Sequence, residues 1–387
     1  MQIRWISFLF VFIIIGSCIK PFNPDVNAEA VNKYVVEGSV SSIEGWQNVK
    51  VSIASDVSRA EYIPVNNCEI TIIDDMEQSF SLAQFEDGEY RVWMNNSELT
   101  HGRSFMVKVL LPNGELLESE FDEMPLGPDE MGEVYFEITD IPTNDAEVTL
   151  HGIQFYTDFS ADELDSKFYK WKLTETWEYH SEYPIEFYYD ETGLHQVSPP
   201  DYSFMYCWRT LVVNDIYTLS TENLAENILN RVPLNYVRNN TPRLKILYSM
   251  LIEQSALSEN AYYYWDKLRL NISQEGELYT SQPLAIKGNL TNINTPEKEV
   301  LGFFQANNLT KKRIFVWPID ELELDLQTVC VINPLRPNIG YLEIPASEYP
   351  AYVYSVNSIP TLMTMINDCV LCPVIGGVTE KPDYWPY

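Results

Sequence analysis

The chain has 387 residues and a formal net charge of -31, with 45% hydrophobic and 13% aromatic residues. A surface this acidic repels phosphate backbones and anionic headgroups, which argues against nucleic acid and against peripheral binding to acidic lipid. The length suffices for two domains with a sizeable core, and the wealth of Tyr beside Val, Ile, Phe and Thr favours strands.

Residues 1–17 read as a signal peptide. Arg4 supplies a positive charge, Trp5 to Ile15 form an almost unbroken apolar run, and Ile15-Gly16-Ser17-Cys18 puts small residues directly ahead of a cysteine. The apolar core is roughly ten residues, too short for a hydrocarbon layer that needs about twenty. Small residues followed by Cys form a lipobox, whose thiol takes a diacylglyceryl group before cleavage, so the expected mature chain begins at lipidated Cys18. Each buried acyl methylene contributes about 0.8 kcal/mol, and a triacylated cysteine supplies the several chains that stable anchoring requires. Residues 18–33, with Pro21 and Pro24 among polar side chains, read as a tether. The expectation is a protein anchored to a membrane and not spanning it.

From Tyr34 the pattern changes to period two. Val49, Val51 and Ile53 share one face while Lys50 and Ser52 share the other. The alternation recurs at Cys68, Ile70 and Ile72, at Tyr90, Val92 and Met94, and at Phe105, Val107 and Val109. Asp87-Gly88 and Pro112-Asn113-Gly114 supply hairpin turns. Residues 34–128 therefore predict an immunoglobulin-like antiparallel β-sandwich. Met124 to Gly132 concentrates Pro and Gly and marks the junction with a second, larger β-rich domain over 129–387.

Inside that domain one segment breaks the alternation. Ser258 is a suitable N-cap, and Tyr264, Trp265, Leu268 and Ile272 follow at offsets of three and four, which predicts a helix over 258–273 ending before Gly276. At helical spacing the aromatic stripe is expected to pack on the sheet. Asn223 to Arg231 suggests a further short helix.

An exported chain meets an oxidising compartment, so cysteines default to disulfides. Cys68 falls on an inward strand position and is taken as a buried free thiol; Cys207, Cys330, Cys369 and Cys372 can pair in three ways that spacing does not rank. Cys369-Val-Leu-Cys372 lacks the second ligand pair a zinc site needs, with His101, His151, His180 and His195 remote in sequence, and Pro373 opposes the helix that a redox motif needs. No metal or cofactor is expected. There is no Gly-x-Ser-x-Gly elbow, no His-Glu-x-x-His and no phosphate-cradling Gly-rich loop. Asp162, Glu163 and Asp165, or Asp190 and Glu191, could supply the two carboxyls of glycoside cleavage, but among 56 acidic residues such pairs arise by chance. The expectation is a protein that is not an enzyme.

Several motifs together resemble a family of Bacteroidota outer-membrane lipoproteins, a domain of unknown function encoded beside Sus-type TonB-dependent receptors. They are Tyr34-Val35-Val36-Glu37-Gly38, Lys170-Trp171, Cys207-Trp208, Tyr262-Tyr263-Tyr264-Trp265 ahead of Leu268, Gly288-Asn289-Leu290, and Val300-Leu301-Gly302-Phe303-Phe304. The ending, Cys369 to Cys372, Gly376-Gly377 and Lys381-Pro382-Asp383-Tyr384-Trp385, is the most specific, although Tyr384 replaces a usual Phe. A Trp-ended tail beside a disulfide would pin the C-terminus to the second domain. The resemblance implies an outer-membrane location facing the cell surface, and a TonB-dependent β-barrel receptor as partner in nutrient uptake or surface assembly. It carries no catalytic residue. The competing expectations are a surface glycan hydrolase and an adhesion or assembly protein.

Overall fold

The computed structural model describes residues 33–387 apart from 56–60, 144, 146–147, 275–285 and 328. The signal peptide, Cys18, the tether up to residue 32 and the helix stop at Gly276 lie outside the described residues. The chain is mainly β, with one α-helix among the described residues, as the period-two pattern predicts.

Nine strands come from the first part: β1 (Tyr34–Ser41), β2 (Gly45–Ile53), β3 (Ile63–Pro64), β4 (Glu69–Asp74), β5 (Ser79–Glu86), β6 (Glu89–Met94), β7 (Ser104–Leu110), β8 (Leu116–Ser119) and β9 (Asp122–Glu123). Asp87-Gly88 forms the two-residue turn between β5 and β6, with Gly88 at φ +72°. The alternating residues face one core: Val49, Val51, Ile72, Phe105, Val107 and Val109 are fully or almost fully buried. Leu290, Val300, Phe304 and Ala306 join the same core from much later in the chain.

The second part supplies β10 (Val134–Pro142), β11 (Thr149–Ser160), β12 (Phe168–His180), β13 (Ile185–Asp190), β14 (Gly193–Asp201), β15 (Tyr206–Val212), β16 (Tyr217–Ser220), β17 (Ile228–Arg238) and β18 (Tyr248–Ala256). Helix α1 (Glu259–Gln274), β19 (Leu290–Asn292), β20 (Phe304–Val316), β21 (Ile332–Pro334), β22 (Ala351–Val356) and β23 (Ile359–Met365) follow. One long sheet runs β15-β12-β18-β20-β1-β2-β6-β5-β4-β7-β8-β19; β10-β11-β17 form a second sheet and β14-β13-β22-β23-β21 a third. Phe155 and Phe159 of the second sheet pack with Tyr169, Trp171 and Tyr248 of the long one. Each such ring contributes roughly 1.5–3 kcal/mol by leaving water. The Trp171 Nε1–H donates to Gln254 Oε1 at 3.0 Å, so the indole is buried without an orphaned donor.

Strand β20 is where the two parts meet. Its residues Phe304 to Asn307 pair in parallel with β1, and Asn308 to Val316 pair antiparallel with β18. The Asp122 carboxylate sits beside this splice, almost wholly buried. Its Oδ2 accepts the Ala306 amide at 2.8 Å and its Oδ1 accepts the Ser258 hydroxyl at 2.6 Å. Ser258 caps α1 as its sequence position predicts, Oγ accepting the Ala261 amide at 3.2 Å.

The short helix expected at Asn223 to Arg231 is absent: a turn leads directly into β17. The reason is Asn227, a buried amide whose Nδ2 donates to the carbonyls of Asp162 at 3.2 Å and Ser166 at 3.1 Å, while its Oδ1 accepts the Thr221 hydroxyl. Those partners hold residues 222–227 as a turn and bend ahead of β17.

Disulfides join Cys207 to Cys372 and Cys330 to Cys369, and Cys68 is a buried free thiol. No helix among the described residues is long and apolar enough to cross a membrane.

Two outcomes follow. Peptide mapping of the unreduced protein should recover Cys207 linked to Cys372 and Cys330 linked to Cys369, with Cys68 alkylated only after unfolding; any crossed pairing contradicts this arrangement. Burial pushes the Asp122 carboxyl from an ordinary 3.8 up to about 6, against the pull of its two hydrogen bonds. The folded state therefore holds a proton that the unfolded chain releases between about pH 4 and 6. The stability this group contributes is full below about pH 4 and lost as pH rises through about 6, roughly 3 kcal/mol at 1.36 kcal/mol per pKa unit. The Tm of the wild type minus that of Asp122→Asn should fall as pH is raised across that window, and a constant difference would contradict it.

Candidate functional site

In a β-sheet, residues paired across strands point to the same side. The registers therefore carry one outward face across the seam. Arg91 lies opposite Asn48, Asn48 opposite Ser39, and Ser39 opposite Gln305. On the other side of the splice Lys170 lies opposite Ser255, and Lys172 opposite Glu253, which in turn is opposite Lys311. The two parts thus present one continuous surface of polar and aromatic groups, and at the splice it dips into a recess of about 230 Å³.

Each flanking element contributes to the recess. Ser39 and Ser41 come from β1, Trp46 and Asn48 from β2, Lys170 and Lys172 from β12, Glu253 and Ser255 from β18, and Gln305, Asn307 and Lys311 from β20. Helix α1 lies over the start of β12, where Phe168 packs on Tyr262 with ring centroids 5.0 Å apart. This places the Trp265 indole face 3.4 Å from Lys170 Nζ. The Trp265 Nε1–H donates to Gln305 Oε1 at 2.6 Å, Gln305 Nε2 donates to Asn307 Oδ1 at 3.4 Å, and Asn307 Nδ2 donates to Ser255 Oγ at 3.2 Å. The chain of bonds fixes which way each amide points.

The lysines are not equivalent. Glu253 forms ion pairs with Lys311 at 2.7 Å and Lys172 at 3.8 Å. Among the described residues Lys170 Nζ has the indole face but no carboxylate or hydrogen-bond acceptor within bonding distance. Burial lowers its pKa to about 7; the positive charge of Lys172 adds to this, and Glu37 and Glu253 oppose it. A half-buried amine poised near neutrality in a polar recess makes this recess the candidate functional site.

Beside the recess, Trp46 and Trp93 meet edge to face with centroids 5.5 Å apart, and the Arg91 guanidinium lies 4.2 Å from Trp46 and 3.5 Å from the Phe85 ring. These rings are about half exposed. At the other end of the same face the C-terminal tail docks. Trp385 Nε1–H donates to Glu178 Oε2 at 2.9 Å, the Tyr384 hydroxyl lies 2.9 Å from Thr176 Oγ1, and the Arg313 guanidinium stacks 3.5 Å over the Tyr384 ring.

The residues singled out from the sequence fall elsewhere or take other roles. Cys18 lies outside the described residues, and the four paired cysteines staple the second part away from the recess. The Asp165 carboxylate accepts the Asp162 amide within its own turn at 2.7 Å, and Asp190 is held below the usual carboxylate range by the Thr192 hydroxyl and amide within a hairpin. No group of three His, Cys, Asp or Glu side chains suited to a metal occurs among the described residues. In the aromatic stripe, Tyr264 packs on Phe303 at 4.9 Å as expected of a packing residue, whereas its neighbour Trp265 covers Lys170 and bonds Gln305, two residues of the recess lining. Lys170 entered the sequence reading only as half of a motif. At an outward strand position it looks like any solvated lysine until α1 is placed over it.

Nitrogen-detected NMR of the lysine ammonium groups should find one, absent from Lys170→Met, that titrates near pH 7. Lys170 titrating in the ordinary lysine range near 10.4 would remove the basis for singling it out.

A comparison with curated proteins found no match. Among solved structures, trypsin-activated alpha-2-macroglobulin from Escherichia coli shares 10% identity with a TM-score of 0.19, covering 79% of this chain and 16% of that one. A Salmonella alpha-2-macroglobulin mutant shares 9% with a TM-score of 0.19, covering 75% and 15%. A DUF4785 family protein from Legionella pneumophila shares 9% with a TM-score of 0.16, covering 57% and 51%. The chain thus spans about a sixth of the two macroglobulins, and likenesses at these scores carry no argument about its fold or role. The family profile described as a domain of unknown function (DUF4249) matches residues 19–313, most of the chain, and the protein belongs to that family.

Proposed function

We propose that this protein is an outer-membrane lipoprotein, anchored through acylated Cys18, that serves as a non-catalytic binding accessory to a TonB-dependent receptor. The observation that carries the binding reading is the recess at the β20 splice. It gathers hydroxyls, amides and an unpaired lysine, and its one lining carboxylate, Glu253, is already engaged by Lys172 and Lys311. Two free carboxyls at a set separation, which glycoside hydrolysis requires, are not part of that lining. Fixed donors and acceptors around a concave surface suit recognition of a small polar ligand.

The anchor and the partner rest on the sequence. Ile15-Gly16-Ser17-Cys18 has the small-residue and cysteine order of a lipobox, and the motifs that suggest a Bacteroidota lipoprotein beside a Sus-type receptor lie around the recess and the docked tail. Lys170 and Trp265 belong to the first group, Tyr384 and Trp385 to the second. In the same reading residues 34–128 form an immunoglobulin-like module that holds the recess out from the membrane on the tether of residues 18–33. The surface location, facing outward, belongs to this proposal.

The test is affinity purification of the protein from detergent-solubilised outer membranes. A large β-barrel receptor should come with it, and Cys18→Ala should move the protein out of the membrane fraction. Recovery without a β-barrel partner, or a Cys18→Ala variant that still sediments with membranes, would overturn the proposal.

A further inference from the structure

Taking the recess as the binding site, as above, its chemistry also names the class of ligand. We propose that it receives a sugar-sized carboxylate of the uronate type, whose carboxylate pairs with Lys170 and whose hydroxyls meet the serines and amides of β1, β2, β18 and β20.

Charge is the first argument. A chain with a net charge of -31 nevertheless brings Lys170, Lys172 and Lys311 to one recess with a single lining carboxylate. Glu253 pairs with both Lys172 and Lys311, which leaves the ammonium of Lys170 with only the Trp265 face. A half-buried ammonium without an anion is costly, and a bound carboxylate relieves that cost with a charge-assisted hydrogen bond.

The type of anion follows from the other groups. Phosphate is favoured by arginine forks and by helix N-termini, and the recess lining contains neither. The lining is instead rich in groups that match hydroxyls. Ser39 Oγ has no protein partner among the described residues, Ser255 Oγ accepts only from Asn307, and the Asn48 amide is engaged only by the Trp46 carbonyl at 3.3 Å. The recess is the size of one sugar ring, and the half-exposed Trp46 indole at its edge offers an apolar face for the C–H side of such a ring.

The pH dependence has a definite sign. Lys170 is faced by Lys172 on its own strand, Glu37 on β1, Glu253 on β18, Lys311 on β20 and the neutral Trp265 on α1. A carboxylate binds the ammonium form, so binding takes up a proton, and affinity falls as pH rises through about 7. The protonated fraction drops about tenfold between pH 6 and 8, and affinity drops with it.

The experiment is isothermal titration calorimetry on the whole mature chain with D-glucuronate, D-glucose and inorganic phosphate at pH 6 and pH 8. Glucuronate should bind at pH 6 at least about tenfold more tightly than glucose or phosphate, and about tenfold more weakly at pH 8. Lys170→Met should abolish the preference for glucuronate over glucose, while Lys108→Met, on β7 and outside the recess lining, should retain it. Equal binding of glucuronate and glucose, stronger binding of phosphate, no binding of glucuronate, or an affinity independent of pH would each overturn the proposal. If Lys170→Met fails to fold, the wild-type pH dependence decides. Receptor co-purification is read separately, so a recess that ignores glucuronate in a protein that still brings down a β-barrel sinks this inference and leaves the accessory role standing.

Discussion

The structure depends on a single strand belonging to two neighbours in turn. The first four residues of β20 hydrogen-bond to β1 and the next nine to β18, so the backbone ladder passes from one part of the chain to the other without a gap. The Asp122 carboxylate holds that passage: it accepts the Ala306 amide of β20 and the hydroxyl of Ser258, the residue that caps α1. One buried carboxyl thus couples the last strand of the first part, the splice strand and the helix that carries Trp265. Breaking a buried hydrogen-bonded charge leaves its partners unsatisfied as well, which is why such a group acts on several elements at once.

Close backbone contacts fix the approach to this splice. Gly302 has φ +96° and a Cβ there would stand 2.1 Å from the Val36 carbonyl oxygen, and a Cβ on Gly288 would stand 1.6 Å from the Gly302 oxygen. Only glycine fits either place. Next to them the Asn289 side chain takes the place of a neighbouring strand, accepting the Phe304 amide at 3.0 Å and donating to its carbonyl at 2.7 Å. Segments distant in sequence, residues 34–41 and 288–307, are thereby brought to one line, and the recess opens directly beside it.

The recess and the docked tail occupy one sheet face, but they use its groups differently. At the tail, buried Glu178 is satisfied by Trp385, and Tyr387 and His180 also bond it. Those carboxylate contacts close a structural joint, which the Cys207–Cys372 disulfide reinforces from the neighbouring segment. At the recess the corresponding bookkeeping stays open. Lys170 lies under the Trp265 ring of α1, is desolvated by burial, and among the described residues has no carboxylate within bonding distance. The exposed Trp46, Trp93 and Phe85 rings with Arg91 extend the same face outward.

Much of this was legible in the amino-acid sequence because it is local. Alternation of Val49, Val51 and Ile53 sets strand faces, Asp87-Gly88 sets a hairpin, and Ser258 with a stripe at offsets of three and four sets the helix, since these features follow from the 2.0 and 3.6 periodicities of the backbone. The single odd cysteine, Cys68, also followed from its inward strand position. A mistaken helix over Asn223 to Arg231 shows the limit: Asn227 finds its hydrogen-bond partners at Asp162, Ser166 and Thr221, and local propensity contains no trace of them. The disulfide partners, the return of residues 290–306 to the first core, and the site itself were decided by tertiary structure alone. Lys170 differs from a solvated lysine only because Trp265, some 95 positions later, is folded over it, a contact between β12 and α1 that no local sequence pattern contains.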